Sequence, residues 1–223
     1  MLRIAPPEKE YSISSIEEFV YIARKFDRSA LYRGVNDQNH QLITSLGRKK
    51  HLSIREEERL LNLFDTYATE FDYYKPVDDW EKLIVAQHHG LPTRLMDWTR
   101  NALVALYFAS IGNSSNTDGV VYAFYPENWL EIDKSNTSPF DVKSTQAFLP
   151  TIPTPRVRAQ SGVHTIHPNY KEPYIPENLY TIKFLGRHKY GFIYDLEKLG
   201  VHHASMFPDL DGLAQYVKFI VRG

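Results

Sequence analysis

Between two apolar helical patterns the chain carries one dense polar segment, Ala86-Gln87-His88-His89-Gly90-Leu91-Pro92-Thr93-Arg94-Leu95-Met96-Asp97-Trp98-Thr99. Leu83, Ile84 and Ala86 lead into it on a helix that Gly90 and Pro92 must end, because proline disfavours helical geometry in the residue before it. From Asn101 the run Ala-Leu-Val-Ala-Leu-Tyr-Phe-Ala reads as a buried helix. The segment is therefore pinned at both ends. Its two histidines, two threonines, arginine and aspartate predict a turn of the kind that carries function on a rigid scaffold.

Composition sets the outer limits. A chain of 223 residues with 43% hydrophobic and 13% aromatic residues can bury a core as a single domain over 1–223. Twenty-six basic residues against 27 acidic ones give a net charge of -1, so no bulk pull toward nucleic acid or a membrane surface is built in. The absence of cysteine removes disulfides and thiolate zinc sites and fits a reducing compartment. The first residues lack an apolar targeting core, and no window approaches a membrane span. A cytoplasmic location is expected.

Along the chain, Ser14 with Glu17 and Ser15 with Glu18 are capping-box patterns before Ile16, Phe19, Val20, Ala23 and Phe26, which recur at helical spacing. Ala30 to Val35 reads as a short strand with Leu31, Arg33 and Val35 on one side and Tyr32 on the other. Ser53 with Glu56 opens a long helix through Leu60, Leu61, Phe64, Tyr67, Ala68 and Phe71. Asp118-Gly119 turns into the β-branched and aromatic run Val120 to Tyr125, a predicted interior strand. The stretch 133–155 is rich in Ser, Thr and Pro without periodicity, which predicts a mobile loop or a plain surface excursion. Arg156 to Ile166 reads as a turn into a strand, Leu179 to Leu185 as another strand, and Phe192 to Leu199 and Leu213 to Ile220 as helices. Helices come first and mixed elements follow, so the fold class is α+β, with N-terminal helices packed on a mixed or antiparallel sheet.

Leu31-Tyr32-Arg33-Gly34, the central segment with Ala105-Leu106-Tyr107-Phe108-Ala109, Arg156 with Gln160 and Gly162, and Phe207-Pro208-Asp209-Leu210-Asp211-Gly212 resemble, in order, the motifs of the FRG domain family. That family is named for its (Phe/Tyr)-Arg-Gly motif. More distantly, the chain resembles the ADP-ribosyltransferase fold. There an arginine in a Tyr-Arg context contacts the dinucleotide, a Ser/Thr-rich turn precedes an Ala-x-x-Phe helix, and a catalytic glutamate comes later. Here Gln160 stands where the glutamate is expected, and a glutamine cannot stabilise an oxocarbenium ion by charge. The resemblance implies NAD as the cofactor, with His88, Gln160 and Asp97 in the catalytic positions. It also implies, by analogy of fold, a toxin or phage-defence effector.

The residues support such a site on their own chemistry. Arg33 offers a planar fork of donors suited to a pyrophosphate, and Gly34 permits close approach of a ligand. Thr93 and Thr99 can hydrogen-bond ribose hydroxyls, His88 can act as acid or base near neutral pH, and Tyr32 and Trp98 offer stacking faces. Each has a plainer account. Asp97 can be a helix N-cap, Trp98 can be core, His202-His203 can be loop surface, and Arg33 with Asp97 can be a buried ion pair that fixes the fold. Three classes compete: a nucleotide-using transferase-like enzyme, a metal-dependent hydrolase or nuclease on His88, His89 and Asp97, and a non-catalytic module that binds a nucleotide or peptide. Adjacent histidines chelate poorly and cysteine is absent, so no metal is expected. The expected partner is a small-molecule nucleotide, with the macromolecular target open.

Overall fold

The computed structural model describes residues 7–49, 51–71, 73–76, 78–112, 116–132, 137–151 and 154–222. In chain order these form β1 (Glu10–Ser12), α1 (Ile16–Ala23), β2 (Leu31–Val35), α2 (Ile54–Ala68), α3 (Asp79–His88), β3 (Leu95–Thr99), α4 (Ala102–Ser110) and β4 (Gly119–Phe124). There follow β5 (Gln146–Phe148), α5 (Pro155–Ala159), β6 (Gly162–Ile166), β7 (Tyr180–Phe184), α6 (Lys189–Lys198), α7 (His203–Met206) and α8 (Leu210–Arg222). The fold is α+β, as the order of patterns predicts. The strands make one seven-stranded sheet in the order β1-β7-β4-β2-β3-β6-β5. It is antiparallel except where β1 runs parallel to β7.

The largest correction falls on the central segment. Its second half is not a turn but β3, paired with β6 over its whole length, Leu95 with Ile166 through Thr99 with Gly162. Both faces of β3 are covered, so the strand lacks the polar alternation that would have announced it. Asp97 accordingly caps no helix. Asn101 is the N-cap of α4, its side chain accepting from the Leu103 amide. The stretch 133–155 is also more ordered than its composition predicts, since Gln146–Phe148 pairs with β6 as the edge strand. Residues 133–136 and 152–153 of that stretch lie outside the described residues. Arg156 begins no turn but sits in α5, where Pro155 takes the first helical turn.

Capping follows the sequence closely. Ser53 and Glu56 form the full capping box of α2. At α1 the pair in use is Ser15 with Glu18, whose carboxylate accepts from the Ser14 amide at 2.7 Å. Helices then cover one face of the sheet in two groups. α1, α4 and α6 pack Phe19, Leu106 and Phe192 against Tyr32, Val121, Ala123 and Ile182. α2 and α3 pack Leu61, Trp80, Leu83 and Ile84 against Leu95, Phe148 and Ile166. Each fully buried leucine or phenylalanine contributes roughly 1.5–3 kcal/mol. On the opposite face Leu31, Met96, Trp98, Phe124 and Val163 are covered by loop residues, among them Leu42, Tyr174 and Leu179. Trp98 is thus core.

Two contacts fix the middle of the sheet. Arg94, just before β3, is buried with Glu57 of α2: its Nη2 lies 2.7 Å from Glu57 Oε2, and its backbone amide donates to Oε1 at 2.8 Å. Gly34 is held even more tightly. A Cβ there would meet the Ala105 carbonyl oxygen at 1.8 Å and the Ala109 nitrogen at 2.6 Å, both main-chain atoms of α4. The glycine after the arginine therefore serves the packing of strand on helix. Gly34→Ala should cost at least about 3 kcal/mol, because neither backbone can yield locally, and chemical denaturation of the variant beside the parent measures it.

Candidate functional site

β2 and β3 are neighbours in the sheet, yet they share a single register pair, Tyr32 with Thr99. Beyond it the strands part. Arg33 bridges the gap, its Nη1 donating to the main-chain oxygen of Asp97. The gap opens into a cleft of about 340 Å³. Its lining includes Tyr32, Arg33, Gly34, Asp97, Trp98, Thr99 and Gln160, seven of the nine residues the sequence singles out for a nucleotide site.

Asp97 is the centre of this site. It stands in the middle of an interior strand whose other four residues are buried, yet its side chain is 61% exposed because it faces the cleft. Gln87 of α3 donates Nε2–H to Asp97 Oδ1 while its own Oε1 accepts from the Thr93 hydroxyl. Across the strand pair His164 Nδ1 lies 3.1 Å from the same carboxylate oxygen. The surrounding protein by itself would push the acid up. The hydrogen bond and charge of His164, with the charges of Arg33 and Arg156, outweigh that and hold the carboxyl at about 2. Asp97 is therefore ionised at any physiological pH.

The other predicted residues divide clearly. His88 ends α3 and lines a side pocket of about 80 Å³ that shares Asp97, Trp98, Arg156 and Gln160 with the main cleft. Burial, and then the Arg156 charge, push its imidazole below the ordinary value, favouring the neutral base. Gln160 caps α5 and donates its amide to the Met206 carbonyl at 3.0 Å. Thr99 donates to the Gln160 carbonyl at 2.7 Å and accepts from the Asn101 amide. Thr93 is fully buried, and its hydroxyl holds Gln87. Both threonines thus tie strands to their supports. Arg33 meets the carbonyl of Asp97 and not its carboxylate, so the pair is no simple ion bridge.

Sequence reasoning passed over Gln87, Arg48, Arg156 and His164 as functional groups. Arg48 lies in the loop after β2, near enough for its charge to act on Arg33, and Arg156 rests over the Phe207 ring at 4.6 Å. Three arginines thus face one carboxylate in the cleft, in a chain of net charge -1. Such an excess marks an anion site. His202 and His203 are not loose surface: His202 caps α7 and stacks on Tyr216, and His203 Nδ1 meets the Tyr107 hydroxyl at 2.9 Å. Among the described residues no three His, Asp or Glu side chains are grouped to hold a metal, and no helix is long and apolar enough to cross a membrane.

Behind β3 a buried relay fixes the strand. Trp98 Nε1 donates to Thr165 Oγ1 at 2.9 Å, and the same hydroxyl shares a hydrogen bond of 2.7 Å with His167 Nε2. Burial, and secondarily the Arg33 charge, lower His167 from 6.5 to about 4. The unfolded chain takes up this proton near pH 6.5 and the folded one only near 4. Stability should therefore fall by roughly 3 kcal/mol as pH drops through that window. His167→Phe should flatten this part of the profile, as read from denaturation midpoints at pH 7, 5.5 and 4.

The family model described as the FRG domain aligns with residues 28–118, a span that holds β2, α2, α3, β3 and α4. No curated protein and no solved structure matches the chain.

Proposed function

We propose that this chain, whose residues 28–118 match the FRG domain model, binds an NAD-type dinucleotide in the cleft and cleaves its nicotinamide–ribose bond, as an ADP-ribosyltransferase-like enzyme. The observation that carries this reading is Asp97, an exposed and ionised carboxylate on the floor of a cleft that is otherwise rich in arginine. Arg33, Arg48 and Arg156 supply donors and charge for a pyrophosphate. When the C–N bond breaks, its electron pair goes to the pyridinium ring, which leaves as neutral nicotinamide. The positive charge passes to the ribose, where a fixed carboxylate stabilises it. Gln160 cannot do this and is tied to Met206, so Asp97 takes the role that the transferase resemblance gives to a glutamate.

A second reading has its own support. The glutamine at 160 favours a non-catalytic module that senses the same nucleotide. Consumption of NAD would suit a toxin or a phage-defence effector, whereas sensing would not require turnover.

Melting-temperature titrations with NAD and ADP-ribose should stabilise the parent. Arg33→Lys should weaken that binding by roughly 1–3 kcal/mol, since lysine keeps the charge but loses the fork. Asp97→Asn should leave binding within a few-fold and slow nicotinamide release by about 10²–10³-fold. No stabilisation by either nucleotide at millimolar concentration overturns the reading. Binding without nicotinamide release selects the sensing module instead.

A further inference from the structure

Away from the cleft the chain leaves two apolar surfaces open to water, one convex and one concave. The convex one is α8. It is attached to the body through Gly212, pressed against the Phe207 carbonyl, and through Tyr216, which stacks on His202 and donates to Glu197 at 3.0 Å. Away from that attachment Leu210, Leu213, Val217, Ile220 and Val221 fall within an arc of about 100° at 3.6 residues per turn. All five are between 45% and 82% exposed. The concave surface is a groove of about 450 Å³, lined by Leu60, Leu63, Phe64 and Tyr67 of α2 and by Phe71 and Tyr73 after it. Tyr67 and Tyr73 are 68% and 77% exposed. Contiguous apolar surface of this kind marks a site of association.

We infer that the groove of one copy receives α8 of a second copy, so that the chain assembles head to tail. Two features of the residues carry this. Leu60, Leu63, Tyr67 and Phe71 repeat the spacing of Leu210, Leu213, Val217 and Val221, so a parallel docking brings one apolar side chain of α8 to each along the groove. The charges then match at both ends. In that register Asp211 stands within two residues of Arg59, and Lys218 within two residues of Glu70. All four are exposed, and none forms an ion pair among the described residues. Turning α8 end for end would set like charges together. The apolar contact thus supplies the affinity, and the charges fix the direction. A contact between two different patches of the same chain leaves one helix and one groove free at the ends, so assembly continues past the dimer unless it closes into a ring.

The test is sedimentation equilibrium of the full chain from micromolar to millimolar concentration, where the mean mass should rise past that of a dimer. Val217→Glu spoils the helix and Tyr67→Glu the groove. Both side chains are exposed, so both variants should melt with the parent, and each alone should stay monomeric. Mixed in equal amounts they should form a dimer that grows no further, because one intact helix then meets one intact groove. Lys218→Glu should weaken assembly by about two- to fivefold, the effect of an exposed ion pair, and adding Glu70→Lys to the same chain should restore it. If either glutamate variant melts early, Leu213→Glu and Leu63→Glu take their places. A parent that stays monomeric at millimolar concentration overturns the inference. Association of either variant alone also overturns it, since that shows helix pairing with helix or groove with groove. So does an equal mixture that stays monomeric.

Discussion

Across the middle of the sheet the guanidinium of Arg33 does what a ladder of backbone bonds does elsewhere. β2 is paired with β4 along its full length, but with β3 at one position only, and the side-chain bond to the Asp97 carbonyl spans the rest. A sheet that parts at its centre exposes main-chain polar groups, which must find partners. Here the opening is kept because α4 presses on Gly34 from one side and the pair Arg94–Glu57 anchors the entry to β3 on the other. Breaking such a buried pair would strand a charge at a cost of about 3–5 kcal/mol.

The same opening explains why Asp97 can be both central and wet. In a closed sheet with both faces covered, a carboxylate at this position would be buried and either neutral or firmly paired. Gln87 and His164 hold it by one oxygen, and Thr93 holds Gln87 in turn. The carboxylate is held in place by a chain of hydrogen bonds that runs back through Gln87 to Thr93 in the core.

Much of this was legible in the residues, for reasons that can be named. Capping boxes and the apolar run after Asn101 are local signals, and they placed the starts of α1, α2 and α4 within a residue, while α1 and α2 end three residues before Phe26 and Phe71, where their apolar patterns run out. Arg33 on a face with Leu31 and Val35 was legible from the period of two. β3 was not, because Leu95, Met96 and Trp98 are buried on opposite faces and leave no alternation to read. Gly34 was assigned to a ligand because the atom it avoids belongs to a helix far along the chain, and sequence spacing is blind to such contacts. Thr93 and Thr99 looked like free hydroxyls for the same reason: their partners, Gln87 and Gln160, become neighbours only when the strands assemble. Arg48 and His164 carried no motif, and only the fold brings them to the cleft.

The pairing of the strands also bears on where this domain can be cut. Within residues 28–118 lie β2 and β3, but β4, which pairs with β2, begins at Gly119, and β6, which pairs with β3, lies later still. A fragment trimmed to the recognisable motif would carry two short strands joined at one residue pair, each with its better partner removed and its edge bare. The span by which the family is recognised is therefore a signature and not a folding unit. Cutting there would leave β2 and β3 without the strands that pair them along their full length, β4 and β6.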